Sequence, residues 1–194
     1  MTPVDRADSL RAVKLRFNFI RGGVAVLALL PAPASWGEVL MTEKAAIERA
    51  FPGSGAERQT LYLTSDEVAA VERTARSKLP SAVVTAFIAR KDGAVTGRAV
   101  LDTHIVRTMP ETVLTVVEPD GRLRMALVLQ FAEPPDYLPR EGWLRTFEGR
   151  TLDDELWPGR GVRRVTGATL TVQALTEAVR RSLAIDELVL KRTP

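Results

Sequence analysis

The chain has 194 residues, of which 45% are hydrophobic and 26% are charged, a composition typical of one globular domain with a substantial core. It contains no cysteine, which excludes disulfides, thiolate metal sites, thiol catalysis and lipidation through cysteine. The formal charge of +3 lies in residues 1–34, which carry five basic and two acidic side chains. Residues 35–194 have 22 of each and are neutral, so the high isoelectric point does not indicate a nucleic-acid partner.

Residues 1–34 have the pattern of a secretory signal. A basic stretch ending at Arg21 precedes the apolar run of residues 24–30, and Pro-Ala-Pro-Ala at residues 31–34 supplies the small side chains that signal peptidase requires. We expect export to the periplasm or another extracytoplasmic space, with cleavage after Ala34. The second interpretation is an uncleaved membrane anchor, although Arg21 and the prolines interrupt any apolar stretch of roughly 20 residues. An N-terminal core helix is the third, and seven apolar residues between glycines and prolines make a poor one.

The elements that follow the leader are predicted as helix, strand and helix. Thr42–Phe51 has apolar residues at helical spacing, a threonine at its start and Pro52-Gly53 at its end, which predicts a short amphipathic helix. Residues 57–63 favour a strand. Thr64 and Glu67 have the spacing of a capping box at the start of a second helix. Three apolar side chains mark the buried face of that helix: Val68, Val71 and Ala75.

Between residues 82 and 131 the pattern changes to strands. Asp92-Gly93 and Asp120-Gly121 lie between apolar runs and predict hairpin turns, because such turns need positive φ. The expected strands cover residues 83–88, 95–101, 113–118 and 123–131. Alternate residues of the last strand are expected to share one face, so that one side of the sheet packs against a core: Leu123, Met125, Leu127, Leu129 and Phe131. We therefore predict a single α+β domain with a curved antiparallel sheet and flanking helices.

The last third of the chain is expected to combine a loop, short helical turns and one long helix. Glu133–Pro139 contains three prolines and predicts a surface loop. Trp143–Phe147 and Thr151–Leu156 each indicate a helical turn. A helix from about Leu170 to Ile185 carries an apolar stripe made of Val172, Leu175, Val179 and Leu183. Two arginines are expected near its C-terminal end, where the helix dipole favours cations: Arg180 and Arg181.

Residues 165–171, Val-Thr-Gly-Ala-Thr-Leu-Thr, stand at the start of that long helix. Small residues permit a close approach to the backbone, and the free N–H groups of a helix start favour an anion. Arg163 and Arg164 add positive charge immediately upstream, so the segment is a candidate phosphate site. The alternative is purely structural, with Thr169 or Thr171 capping the helix and a glycine supplying a turn.

Thr166-Gly167-Ala168-Thr169, followed by Leu170-Thr171, resembles the flavinylation motif of the FMN-binding domain family, a serine or threonine followed by Gly-Ala-Thr. The family includes flavin-carrying domains of sodium-translocating NADH:quinone oxidoreductase and of the Rnf complex. In it, a flavin transferase that uses FAD as donor joins the final threonine to the FMN phosphate. The resemblance, which covers nearly all of residues 42–185, implies that Thr169 carries FMN through a phosphoester. The same resemblance implies a surrounding site made of Thr166, Gly167, Ala168, Leu170 and Thr171.

Several other residues are candidates around the expected flavin. Glu133 matches the position of an acidic residue in a proline-containing stretch of the family and is a candidate cofactor contact. His104 either hydrogen-bonds the flavin or has a structural role at a strand end. Trp143 and Tyr137 either stack near the isoalloxazine or anchor the core and the loop. The family motif usually has an aspartate three positions before its first hydroxyl residue, where this chain has Arg163.

The resemblance implies an extracytoplasmic flavoprotein that transfers electrons between redox partners. The expected partners are an FAD-dependent flavin transferase for maturation and a membrane redox complex, a cytochrome or another flavoprotein for electron exchange. The chain has no Rossmann, Walker or nucleophile-elbow sequence. We expect an electron-transfer protein or redox-complex subunit rather than a stand-alone enzyme. The alternatives are a periplasmic binding or scaffold domain without flavin, and a flavin-dependent reductase of a small substrate.

Overall fold

The computed structural model describes residues 38–192, and the expected leader of residues 1–34 lies outside this range. The described chain has the predicted fold class, a single α+β domain in which a six-stranded antiparallel sheet curls into a half-barrel. No helix between residues 38 and 192 is long and apolar enough to cross a membrane. The α-helices are α1 (Glu43–Ala50), α2 (Ser65–Ala75), α3 (Glu141–Leu144) and α4 (Thr169–Leu188). The strands are β1 (Glu38–Val39), β2 (Gly55–Tyr62), β3 (Val83–Lys91), β4 (Ala94–Val106), β5 (Met109–Val117) and β6 (Leu123–Phe131).

The sheet has the strand order β1-β6-β5-β4-β3-β2, and hairpin turns make most of its connections. Both Asp-Gly turn predictions are confirmed. Asp92 and Gly93 join β3 to β4 with φ values of 51° and 82°, the backbone region that such turns require. Gly121, with φ of 95°, turns the chain between β5 and β6. The strands β4 and β5 are longer than predicted and meet in a hairpin at Arg107, which also has positive φ.

Both faces of the sheet are buried, which corrects the prediction that only one side packs against a core. In β3, Phe87 and Ala89 pack in one apolar cluster with Ala46 of α1. The alternate side chains Val84 and Ala86 lie in another cluster, formed with α2 and α4. Because successive strand residues point to opposite faces, α1 covers one face and the α2–α4 pair covers the other. The sequence pattern had not indicated that helices cover the second face of the sheet.

A bulge in β6 changes which side chains share a face. Val116 pairs with Met125 but Val117 pairs with Leu123, so Arg124 is an extra residue in the ladder. Leu123 consequently packs in the cluster under α4, whereas Leu127 packs in the cluster under α1. The prediction that Leu123 shares a face with Met125, Leu127 and Leu129 is therefore wrong.

The starts of α1 and α2 confirm the capping predictions. Thr42 Oγ1 accepts a hydrogen bond from the Ala45 N–H at 3.2 Å. At α2, Thr64 Oγ1 accepts from the Glu67 N–H at 3.3 Å, and the Glu67 carboxylate accepts from the Thr64 N–H at 2.8 Å. This reciprocal pair satisfies two backbone donors that the helix itself leaves without partners.

The connection between β6 and α4 contains the predicted proline loop and one of the two predicted helical turns. Pro135–Tyr137 forms a single 3-10 turn within the loop. Residues 141–144 form α3, and Arg145–Phe147 continues it as a 3-10 turn, so the helical turn expected at Trp143–Phe147 is confirmed.

The second predicted helical turn, at Thr151–Leu156, is wrong. The segment is a non-helical turn in which Asp153 Oδ1 accepts from the Glu155 N–H at 2.9 Å and from the Leu156 N–H at 3.0 Å. An aspartate side chain that bonds nearby backbone donors competes with the helical pattern, which explains the outcome.

Gly97 in β4 is a close-approach position and carries our first prediction. A Cβ at this residue would lie 2.8 Å from Phe51 Cε1 and 3.2 Å from Arg124 Nη2. We expect Gly97→Ala to lower the free energy of unfolding by about 1–3 kcal/mol, because the buried Phe51 ring must shift. Gly55→Ala in β2 is the matched control, since no atom lies within 4 Å of the position that its added methyl group would take. Urea unfolding of both variants tests this, and equal midpoints would contradict it.

Candidate functional site

The segment Thr166-Gly167-Ala168-Thr169-Leu170-Thr171 forms the entry to α4. Gly167 has φ of 84°, so the chain needs a glycine there to turn into the helix. Thr166, Gly167, Thr169 and Leu170 are exposed, and Leu170 is 56% accessible, unusually high for a leucine. Ala168 and Thr171 are buried and fix the first turn against the core. The motif therefore presents Thr169 to solvent on a well-anchored backbone.

The start of α4 has no side-chain cap. Ala168 occupies the N-cap position, and no side chain accepts a hydrogen bond from the first turn. The structural interpretation of Thr169 or Thr171 as a capping residue is therefore wrong. Thr169 is instead the first residue of the helix, and its side chain has no hydrogen-bond partner among residues 38–192. A free helix start of this kind favours a bound anion.

A cleft of about 600 Å³ lies beside this helix start. It falls within the size range of small-molecule and cofactor sites. Two segments that are distant in sequence form it, the end of the proline loop with α3 and the irregular stretch before α4. The lining residues nearest the motif are Arg163, Arg164, Val165, Thr166 and Ala168, and those from the other segment are Asp136, Leu138, Pro139, Arg140, Gly142 and Trp143.

Three arginines give the cleft a positive lining. Arg140, Arg163 and Arg164 are all exposed, and none forms an ion pair with another residue of the described range. Asp136 is the one acidic residue among the lining side chains. The two arginines predicted as phosphate neighbours both line the cleft, as does Arg140 from the other segment, and their contact with a phosphate stays a prediction.

Trp143 joins the two walls of the cleft. Its side chain is buried, and its Nε1–H donates to the Arg163 carbonyl at 2.8 Å. Its ring also packs edge-on against Phe147 with a centroid distance of 5.2 Å. Of the two roles considered for Trp143, the core anchor is the one that these contacts support. By holding the Arg163 backbone, it positions the segment that leads into the Thr166–Thr169 motif.

Glu133 and Tyr137 do not line this cleft. Glu133 Oε1 accepts from the N–H groups of Thr108 at 2.9 Å and Met109 at 3.0 Å, and so holds the β4–β5 hairpin. These backbone hydrogen bonds hold the pKa of the Glu133 carboxyl below its usual value. Tyr137 lies under the Arg107 guanidinium, 5.2 Å from its ring centroid. Both residues order the loop beside the hairpin, and cofactor contact by Glu133 stays a prediction.

A buried charged cluster that the sequence interpretation missed lies between α4 and the sheet. Arg181 donates two hydrogen bonds of 2.8 Å to the Asp102 carboxylate. His104 Nδ1 lies 2.9 Å from Asp102 Oδ1, and His104 Nε2 lies 3.1 Å from Glu111 Oε2. All four side chains are at most 7% exposed, and Glu111 is fully buried. Since both ring nitrogens of His104 contact carboxylates, the structural role of this histidine is favoured over a bond to flavin.

The pKa values of this cluster are shifted in a consistent way. Burial opposes ionisation of Asp102, but the hydrogen bonds from Arg181 and His104 outweigh it and hold its pKa below the usual value. Burial also opposes ionisation of His104, yet its contacts with Asp102 and Glu111 raise its pKa overall. The pKa of Glu111 is raised, chiefly by burial. The His104–Glu111 pair therefore retains a proton at a pH where an exposed histidine has lost its own.

The arginines of α4 are buried structural groups, which corrects their assignment as dipole partners near a helix end. Arg180 Nε donates to the Ala75 carbonyl at 2.8 Å, and Nη1 donates to the Asp153 carbonyl at 2.7 Å. The guanidinium also lies 4.5 Å from the Trp157 ring centroid. Arg180 thus ties α4 to the end of α2 and to the turn at residues 153–156. The available sequence signal was the presence of charged residues at core-facing positions, Asp102 and His104 in β4 and Arg180 and Arg181 in α4.

The comparisons with known proteins assign no family. No protein-family model matches the chain, and no curated protein matches it either. Within residues 38–192 no group of three or more histidine or acidic side chains is arranged to hold a metal ion. The Thr166–Thr171 motif and the cleft beside it are the features of the described chain that bear on function.

Proposed function

We propose that this chain is an extracytoplasmic electron-transfer protein that carries FMN as a phosphoester on Thr169. The observation that carries the proposal is the exposed Thr169 hydroxyl at an uncapped helix start beside an arginine-lined cleft. The resemblance of Thr166–Thr171 to the flavinylation motif supports a flavin phosphate as the anion. A free helix start alone would not indicate a flavin site, and the arginine-lined cleft and the motif resemblance are both needed.

The described residues fit a phosphate held at this position. The first turn of α4 supplies unbonded N–H groups and the positive end of the helix dipole. Arg163 and Arg164 add positive charge beside Thr166. Gly167 has no atom within 4 Å of the place where a Cβ would lie, so the turn leaves open space next to the threonine. These N–H groups and arginines would stabilise the negative charge of a phosphate on Thr169.

The attachment step balances as a simple phosphoryl transfer. In the transferase, Thr169 Oγ would take the FMN phosphoryl group from FAD, with a new Oγ–P bond in place of the pyrophosphate P–O bond. AMP would leave, and the hydroxyl proton would pass to a base of the transferase. A covalent link removes the need for a pool of free FMN, since loss by dissociation no longer depends on concentration.

The protein's part in electron transfer is to hold and orient the cofactor. When bound, FMN supplies one- and two-electron redox chemistry, accepting electrons from a donor and passing them to an acceptor. Trp143 fixes the wall of the cleft through the Arg163 carbonyl, and Ala168 and Thr171 fix the helix start.

Our second prediction tests the attachment. After co-expression with a flavin transferase, we expect intact-mass measurement to give one FMN-sized adduct, and peptide fragmentation to locate it on Thr169. Thr169→Ala should abolish the adduct, because no hydroxyl remains to form the phosphoester. Thr60→Ala, which removes another exposed threonine hydroxyl in β2, is the matched control and should keep full loading.

Two results would overturn the proposal. One is the absence of an adduct on the folded wild-type chain, which would favour the binding or scaffold domain. The other is an adduct that persists in Thr169→Ala, since it would place the flavin on a different residue. Circular dichroism of each variant establishes that the fold is intact before loading is compared.

A further inference from the structure

The charge that lines the cleft is positive, although the described chain is neutral. Residues 38–192 contain equal numbers of basic and acidic side chains. The cleft lining has three arginines, Arg140, Arg163 and Arg164, and one acidic residue, Asp136. The lining therefore carries two more positive than negative side chains.

The three arginines that line the cleft are exposed. Arg140, Arg163 and Arg164 form no ion pair among residues 38–192. Trp143 donates a hydrogen bond to the Arg163 carbonyl, and Arg140 is the N-cap residue of α3. The backbone of each of these two arginines is therefore held in place. Elsewhere on the described surface some exposed arginines, such as Arg73 and Arg90, are also unpaired, and four are paired with carboxylates: Arg49, Arg58, Arg76 and Arg122.

The positive charge of the cleft exceeds what the proposed cofactor linkage neutralises. A phosphate esterified on both sides carries one negative charge, whereas three arginines and one aspartate leave two positive charges in the lining. A net positive lining therefore remains after Thr169 is loaded. This step rests on the proposed function.

We propose that the redox partner of this chain docks over the cleft through an acidic surface. The class of partner is a small acidic redox protein, because complementary charge speeds the encounter of two proteins and selects its orientation. Electrons must enter or leave near Thr169, and the arginines lie on the surface that a partner must approach. An acidic partner gains attraction there, and a basic one is repelled.

The first arm of the test measures binding without flavin. The probe is deca-glutamate, titrated into the ¹⁵N-labelled Thr169→Ala chain and followed by NMR. We expect shifts at residues 136–148 and 160–166, none with deca-lysine, and an affinity that falls steeply as salt is raised. Arg140→Gln combined with Arg164→Gln should weaken deca-glutamate binding about tenfold at low ionic strength. Arg73→Gln combined with Arg90→Gln, two exposed arginines outside these segments, is the matched control.

The second arm measures electron transfer from the loaded chain. We expect the reduced protein to react faster with anionic ferricyanide as salt is lowered, and more slowly with cationic hexaammineruthenium(III). Deca-glutamate shifts spread over other surfaces, or equal effects of the two double variants, would overturn the inference. The deca-glutamate titration needs no flavin. An absent adduct would therefore overturn the proposed function and leave the binding measurement intact.

Discussion

Arg181→Met is expected to lower the free energy of unfolding by about 3–5 kcal/mol. The substitution removes both hydrogen bonds to Asp102 and leaves that carboxylate buried with His104 as its remaining cationic neighbour. Removing one partner of a buried ion pair is costly because the other charge stays desolvated. Urea unfolding followed by tryptophan fluorescence measures the loss. Arg73→Met, at an exposed site on α2, is the control and should change stability by less than about 0.5 kcal/mol.

The double variant Arg181→Met with Asp102→Asn separates the ion pair from simple packing. If the unpaired carboxylate causes the loss, removing its charge should recover a large part of it, and the double-mutant cycle should give a coupling energy above about 1 kcal/mol. Additive effects of the two substitutions would contradict this explanation.

Stability is expected to fall as the pH rises above about 6.5, by up to about 1.4 kcal/mol per pH unit. His104 has a raised pKa in the folded chain, so between its usual pKa of 6.5 and its folded pKa the native state holds one proton more than the unfolded state. The raised pKa of Glu111 acts in the same direction from 4.5 upward. The lowered pKa of Asp102 acts oppositely and costs stability below about 3.8. The cluster therefore favours mildly acidic conditions.

His104→Gln tests the origin of this dependence. Glutamine keeps a hydrogen-bonding side chain but does not titrate, so the decline above about pH 6.5 should flatten even if the variant is less stable overall. Urea midpoints measured from about pH 5 to pH 9 supply both curves. An unchanged slope in His104→Gln would assign the dependence to another group.

Local signals in the sequence predicted much of the secondary structure. The capping threonines Thr42 and Thr64 and the turn at Asp92-Gly93 all act within four residues, and the structure confirms each of them. Their geometry depends on the side chains present and on little else, which is why sequence reasoning succeeds there.

The errors arose where distant parts of the chain decide the outcome. The face of Leu123 depends on a bulge in the pairing of β5 with β6, and no residue type in β6 announces it. Arg180 and Arg181 donate hydrogen bonds to groups 24 to 105 positions away, so their burial follows from how α4 packs and not from their place in the helix. Buried cations at core-facing positions were the available warning, because such residues occur inside only when paired.

The candidate site was predictable in part. The motif indicated Thr169 as the candidate acceptor, and Arg163 and Arg164 line the cleft beside this motif. The missing side-chain cap could not be predicted from the sequence, because threonine is a preferred N-cap residue and three threonines lie near the start of α4. The cleft was beyond sequence reasoning, because Arg140 and Trp143 come from a separate segment that folds against the motif.

The candidate site and the buried charged cluster lie at different levels of helix α4. Thr169 is its first residue, and Arg181 follows twelve positions later, a separation of about 18 Å along the axis. Two elementary charges that far apart interact by less than about 1 kcal/mol, and salt reduces this further. Protonation of the buried cluster should therefore scarcely alter the reduction potential of a group held at Thr169. Substitutions in the buried cluster should therefore change stability and leave the electrostatics at Thr169 nearly unaltered.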